Sequence, residues 1–134
     1  HSYLAADYQA RVFYGADSRL YRVSLDSFAV EDLGPIPSRG DGENKVVWDP
    51  INQVLLLHLW PDRFYAYHYD TRTWETLSVA SDVPNVIASG RIMAFDHLNN
   101  AVVLWGQNST DPKIVPSTPF MFLYRYDNGH ARAR

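Results

Sequence analysis

Six aspartates recur at regular places along this 134-residue chain: Asp7, Asp49 and Asp96 in one series, Asp26, Asp70 and Asp127 in another. Carboxylates in such number could hold calcium. They could also act as an acid and base pair, as in glycoside hydrolysis, where two carboxyls stand roughly 5–10 Å apart across one substrate. Each aspartate, however, opens its own copy of a local pattern rich in turn formers, as in Asp49-Pro50-Ile51-Asn52 and Asp96-His97-Leu98-Asn99. An Asp in that setting accepts hydrogen bonds from the backbone just ahead of it and caps the turn. The repetition therefore reads as hairpin capping, and no pair is singled out for catalysis.

Other chemistry is equally unspecified. Of the five histidines, His58 and His68 are expected on neighbouring strands and could pair on a metal. The simpler reading makes them polar positions between packed sheets. His97 falls in a turn. There is no glycine-rich phosphate loop, no Gly-x-Ser-x-Gly elbow, and no serine with a readable His and Asp partner. The expectation is a protein that is not an enzyme, with no catalytic residue, metal or cofactor.

Recognition remains. Arg39, Asp41, Trp60, Arg63, Trp105 and Lys113 fall in or beside segments expected to be loops gathered on one face. Loops on a rigid scaffold concentrate binding residues. Arg and Trp are favoured interface anchors, and Trp with Asp or Asn also suits sugars. The competing reading places both tryptophans at the ends of core strands and leaves the charges to solvent.

Composition narrows the partners. Lys+Arg number 12 against Asp+Glu 15, with no basic run, which argues against nucleic acid. No apolar run approaches the roughly 18–20 residues of a membrane-spanning helix. Without cysteine, disulfides and thiolate zinc sites are excluded, and the compartment stays open. Hydrophobic residues at 46% against 20% charged fit a folded chain, and 14% aromatics favour strands.

The elements that would position these residues come in three copies. Val46-Val47-Trp48, a turn at Asp49, a wholly apolar Val54-Leu55-Leu56-Leu57, Phe64 to Tyr69, and Thr73 to Leu77 read as a four-stranded antiparallel meander. The first series of aspartates is spaced 42 and 47 residues apart, within the roughly 40–50 residue period of propeller blades. Tyr21, Val23 and Leu25 align with Tyr65, Tyr67 and Tyr69 at an offset of 44, and then with Phe122, Tyr124 and Tyr126 at 57. The growth in offset places an insertion at Gln107 to Thr118. By the same offset, Ala131 would stand where Trp74 stands in the second copy. Strands such as Val54–Leu57 and Ala101–Leu104 do not alternate, so they should be covered on both faces. The fold class expected is all-β: one domain over 1–134, an incomplete propeller of about three blades at about 1–37, 38–84 and 85–134.

With Tyr69-Asp70-Thr71-Arg72-Thr73-Trp74-Glu75-Thr76-Leu77 and the run from Ser89-Gly90-Arg91 to Leu104-Trp105-Gly106, the chain resembles a kelch-type propeller over nearly its whole length. The resemblance departs at the paired glycines of that family, where only single Gly15 and Gly106 occur. It implies protein or glycan binding on one face and transfers no catalytic residue.

Three blades do not make a ring, which takes four to eight. The end blades would expose apolar faces, to be covered by a second copy in a six-bladed ring or by further blades of a longer chain. The function expected is an interaction module binding a protein partner or itself through the loop face. The alternatives are a carbohydrate-binding propeller and a segment of a larger propeller-fold enzyme.

Overall fold

A computed structural model describes residues 4–38, 44–59, 63–78, 92–108, 118–126 and 132–133. Among them are twelve strands and no helix. The first sheet holds β1 (Leu4–Asp7), β2 (Val12–Ala16), β3 (Arg19–Ser24) and β4 (Val30–Pro35). The second holds β5 (Lys45–Asp49), β6 (Val54–Leu59), β7 (Arg63–His68) and β8 (Thr73–Leu77). The third holds β9 (Ile92–Asp96), β10 (Ala101–Asn108), β11 (Thr118–Arg125) and the short β12 (Arg132–Ala133). Each sheet is an antiparallel meander in which every strand pairs with its neighbours in sequence. The all-β, three-sheet expectation holds.

Identical turns explain why the three sheets are alike. Between the first two strands of each, Asp7 pairs with Val12, Asp49 with Val54 and Asp96 with Ala101 across four-residue loops. In each loop the aspartate Oδ1 accepts two backbone N–H bonds: from Gln9 and Ala10, from Ile51 and Asn52, and from Leu98 and Asn99. Asn52 and Asn99 add a side-chain amide bond to Oδ2 of the same carboxylate. The last loop residue then takes a left-handed conformation: Arg11 at φ 54°, Gln53 at 54° and Asn100 at 55°. Phe28 and Arg72 repeat that conformation in the third-to-fourth turns of the first two sheets. Turn capping is thus the work of the first aspartate series.

The second series behaves differently. Ser24 Oγ, not Asp26, accepts the turn N–H groups of Asp26 and Ser27, while the Asp26 carboxylate pairs with Arg11 at 2.7 Å. Among the described residues Asp70 accepts only the adjacent Thr71 N–H, and Asp127 lies outside them.

The sheets stack face to face in chain order. One core joins Val12, Tyr14, Ala16 and Leu20 of the first sheet to Val46, Leu55, Leu57, Leu59 and Tyr67 of the second. The other joins Val47, Val54, Leu56, Phe64 and Ala66 of the second to Met93, Val102, Leu104 and Tyr124 of the third. Successive side chains of a strand point to opposite faces, so the unbroken apolar run of β6 serves both cores, and all six of its residues are buried. The first strands run side by side, with β5 between β1 and β9.

Two sequence expectations need correction. The inserted loop is shorter than Gln107 to Thr118, because both ends extend the hairpin, with Gln107 opposite Pro119 and Asn108 opposite Thr118. In the last strand Ala133, not Ala131, lies opposite Tyr124 as Trp74 lies opposite Tyr67. β12 therefore pairs two residues later in the chain than the offset of 57 implied.

Candidate functional site

A Tyr–Glu clasp locks each sheet to the next. Tyr69, just past β7, donates its hydroxyl to Glu31 of β4 at 3.0 Å. Tyr126, just past β11, donates to Glu75 of β8 at 2.7 Å. Glu31 and Glu75 are 44 residues apart and Tyr69 and Tyr126 are 57 apart, so the clasp is a property of the repeat. Each glutamate also meets a basic group. Glu31 bonds Arg72 at 2.6 Å and has Arg22 at 3.9 Å; Glu75 bonds His68 Nε2 at 2.9 Å. The Arg72 hydrogen bond, offset in part by desolvation, holds the Glu31 carboxyl below its usual range. Burial, followed by the Glu75 acceptor, pushes the Tyr126 phenol well above the ordinary tyrosine value.

At the first clasp a cleft of about 480 Å³ opens between sheets one and two, at the end that carries the capped turns. Its wall is aromatic. Tyr14 of β2 stacks on Trp48 of β5, centroids 5.4 Å apart and planes 13° from parallel, and meets Tyr69 edge-on at 6.4 Å. The guanidinium carbons of Arg22 and Arg72 lie 4.3 and 4.2 Å from the Tyr69 ring centroid, a cation–π arrangement. The Arg22 Nε–H is out of solvent and donates to nothing among the described residues. Gln9, Asn52 and Asp70 bring polar side chains to the rim. Burial raises the Tyr14 phenol above its ordinary value, so it stays a neutral donor.

A second cleft, about 540 Å³, runs along β1, β5 and β9 and is more apolar, with Leu4, Val46, Ile51, Met93 and Phe95 in its walls. Trp48 borders both clefts. No group of three His, Asp or Glu among the described residues could hold a metal ion. His58 is fully buried with its ring 4.5 Å from Phe64, at the far end of β7 from His68, so the two do not form a pair.

Of the six loop-face residues, the structure describes Arg63 and Trp105, which lie in different sheets. Arg63 opens β7, half-buried, and donates through Nη1 to Ser38 Oγ in the segment after β4. Trp105 lies within β10 rather than in a loop; it is half exposed on the outer face of the third sheet, between Ile92 and Met121. That outcome fits neither the loop reading nor the core reading. Arg39, Asp41, Trp60 and Lys113 lie outside the described residues. Sequence reasoning missed the cleft because Tyr14, Arg22 and Trp48 each looked like one strand residue among many. Their meeting depends on two sheets stacking.

No family model matches the chain, and no curated protein matches it.

Proposed function

We propose that the three sheets are consecutive blades of a kelch-like β-propeller and that the chain is a binding module rather than an enzyme. The ordered stacking of identical meanders, with first strands side by side as the hub of a propeller requires, supports the architecture. The observation that carries the function is the cleft between the first two sheets, a formed pocket with a Tyr14–Trp48 wall and Arg22, whose Nε–H is out of solvent, among its lining residues. Pockets with an apolar or aromatic wall and a few convergent polar groups are where small ligands and short peptide segments seat. The same features favour a carbohydrate as second reading, since a sugar ring lays its C–H face on Trp48 while Gln9, Asn52 and Asp70 reach its hydroxyls.

Tryptophan fluorescence, titrated with a panel of neutral oligosaccharides and of short acidic and aromatic peptides, tests both. A ligand seated here changes the emission and loses roughly ten-fold or more in affinity on Trp48→Ala, as expected for removal of an aromatic anchor worth about 1.4 kcal/mol or more. If Trp48→Ala leaves every detected interaction unchanged, the cleft is not the site. A solution scattering profile that fits neither a curved three-sheet arc nor a closed ring of two such arcs would sink the propeller reading itself.

A further inference from the structure

The sheets pack by one rule, and the two free faces obey it. At both internal junctions the later sheet offers the same repeat positions to the earlier one. Sheet two presents Val46, Leu55 and Tyr67; sheet three presents their equivalents Met93, Val102 and Tyr124. The earlier sheet always receives them on its opposite face. Among the described residues, nothing covers the presenting face of the first sheet or the receiving face of the third.

Both are apolar. On the presenting face, Leu4, Phe13, Val23 and Val30 stand where Val46, Leu55, Tyr67 and Trp74 stand in sheet two. Phe13 is 38% exposed and Val30 65%, although the Leu55 position is 0% exposed when covered. On the receiving face the register lines up Ile92, Trp105 and Met121 in one row across three strands. Trp105 is 50% exposed and Met121 67%. Exposed apolar rows on this scale mark an interaction surface. The clasp residues are altered together at these ends. Leu25 occupies the Tyr69 position in the first repeat, and by the strand register Arg134 falls at the Glu75 position in the third. A junction of these two faces thus leaves no clasp carboxylate or phenol stranded.

We infer that a second copy of this chain covers both faces head to tail, the third sheet of each copy receiving the first sheet of the other in a two-fold ring. The inference rests on the blade reading above. Unlike two identical faces meeting, this junction is heterologous, and closure around an axis is what stops it from growing into a filament.

Light scattering on the purified chain at roughly 100 μM, a hundred-fold above a micromolar Kd, should give close to twice 15.4 kDa. Phe13→Glu and Trp105→Glu should each bring the mass down to the single-chain value. These side chains are solvent-exposed within one chain, so circular dichroism should show both variants folded. Mixing the two variants should restore a dimer, because one of its two junctions then joins the unaltered faces. A monomeric wild type overturns the inference, as does a Phe13→Glu protein that remains dimeric while Trp105→Glu does not. A monomer that still loses stability on Tyr126→Phe overturns only the second copy. A monomer insensitive to that change overturns the stacking of the sheets as well.

Discussion

Removing one hydroxyl from the second clasp gives the sharpest test of how the sheets hold together. Tyr126→Phe deletes the O–H that donates to Glu75 at 2.7 Å and lies 3.4 Å from His68 Nε2, while the ring stays buried in the core between sheets two and three. Hydrogen bonds to charged groups contribute about 1.5–3 kcal/mol. The Glu75 side chain is 29% exposed and keeps His68 at 2.9 Å, so water and histidine compensate in part and the expected loss falls to about 1 kcal/mol. For a chain of this length that lowers Tm by about 3–5 °C. A double-mutant cycle with Glu75→Gln, followed by urea unfolding, isolates the pair; a coupling of about 1 kcal/mol is expected. The pH dependence has a defined sign. The folded phenol titrates above the unfolded one, so the clasp is at full strength below the unfolded tyrosine value of about 10 and fades as pH rises beyond it. A coupling under about 0.3 kcal/mol, or a Tm difference between wild type and variant that persists unchanged at strongly alkaline pH, would refute the geometry.

Four further outcomes are expected. Leu56→Ala, in the strand buried on both faces, should cost about 2–5 kcal/mol by urea unfolding, whereas Val30→Ala on the free face should cost under about 0.5 in a single folded chain. Asp49→Ala removes a buried acceptor shared by two backbone N–H groups and the Asn52 amide; the unfolding free energy should fall by about 1–3 kcal/mol. At the left-handed Gln53, β-branched Gln53→Val should cost about 1–2 kcal/mol while Gln53→Gly costs nothing measurable, as thermal melts of the two will show. Glu31 titrates lower when folded than when unfolded, so its contribution is present above the unfolded value of about 4.3 and is lost as pH falls through the depressed one. Melts between pH 6 and pH 3 should therefore be less steep for Glu31→Gln than for wild type.

Much of the scaffold was legible because local chemistry sets it. The aspartate turns could be read from Asp followed by Pro and Asn, and the double-faced burial of β6 from its failure to alternate. What escaped depends on contacts between repeats. Glu31 with Glu75, and Tyr69 with Tyr126, are visible as repeating letters, yet only face-to-face stacking turns them into a clasp. The Asp26 carboxylate likewise looked like a turn cap because its partner, Arg11, arrives from a different hairpin. Trp105 was weighed as a loop anchor or a core residue. It is neither, because the extended β10 carries it, half exposed, onto a face that no described residue covers. The two-residue shift of β12 was hidden because an offset carried over from the preceding strand says nothing of the length of the next turn.

Among the described residues every strand pairs only with a strand adjacent in the chain, and that locality bears on how such a molecule arises and changes length. Duplicating a stretch of some 45 residues adds one complete meander without breaking any of the described ladders, because none of them spans two units. Gene segments of this type can therefore lengthen or shorten by whole units, and each step demands only that the newcomer's two faces suit its neighbours. The same economy shortens the search during synthesis: each hairpin can close as soon as it leaves the ribosome, before the next is made.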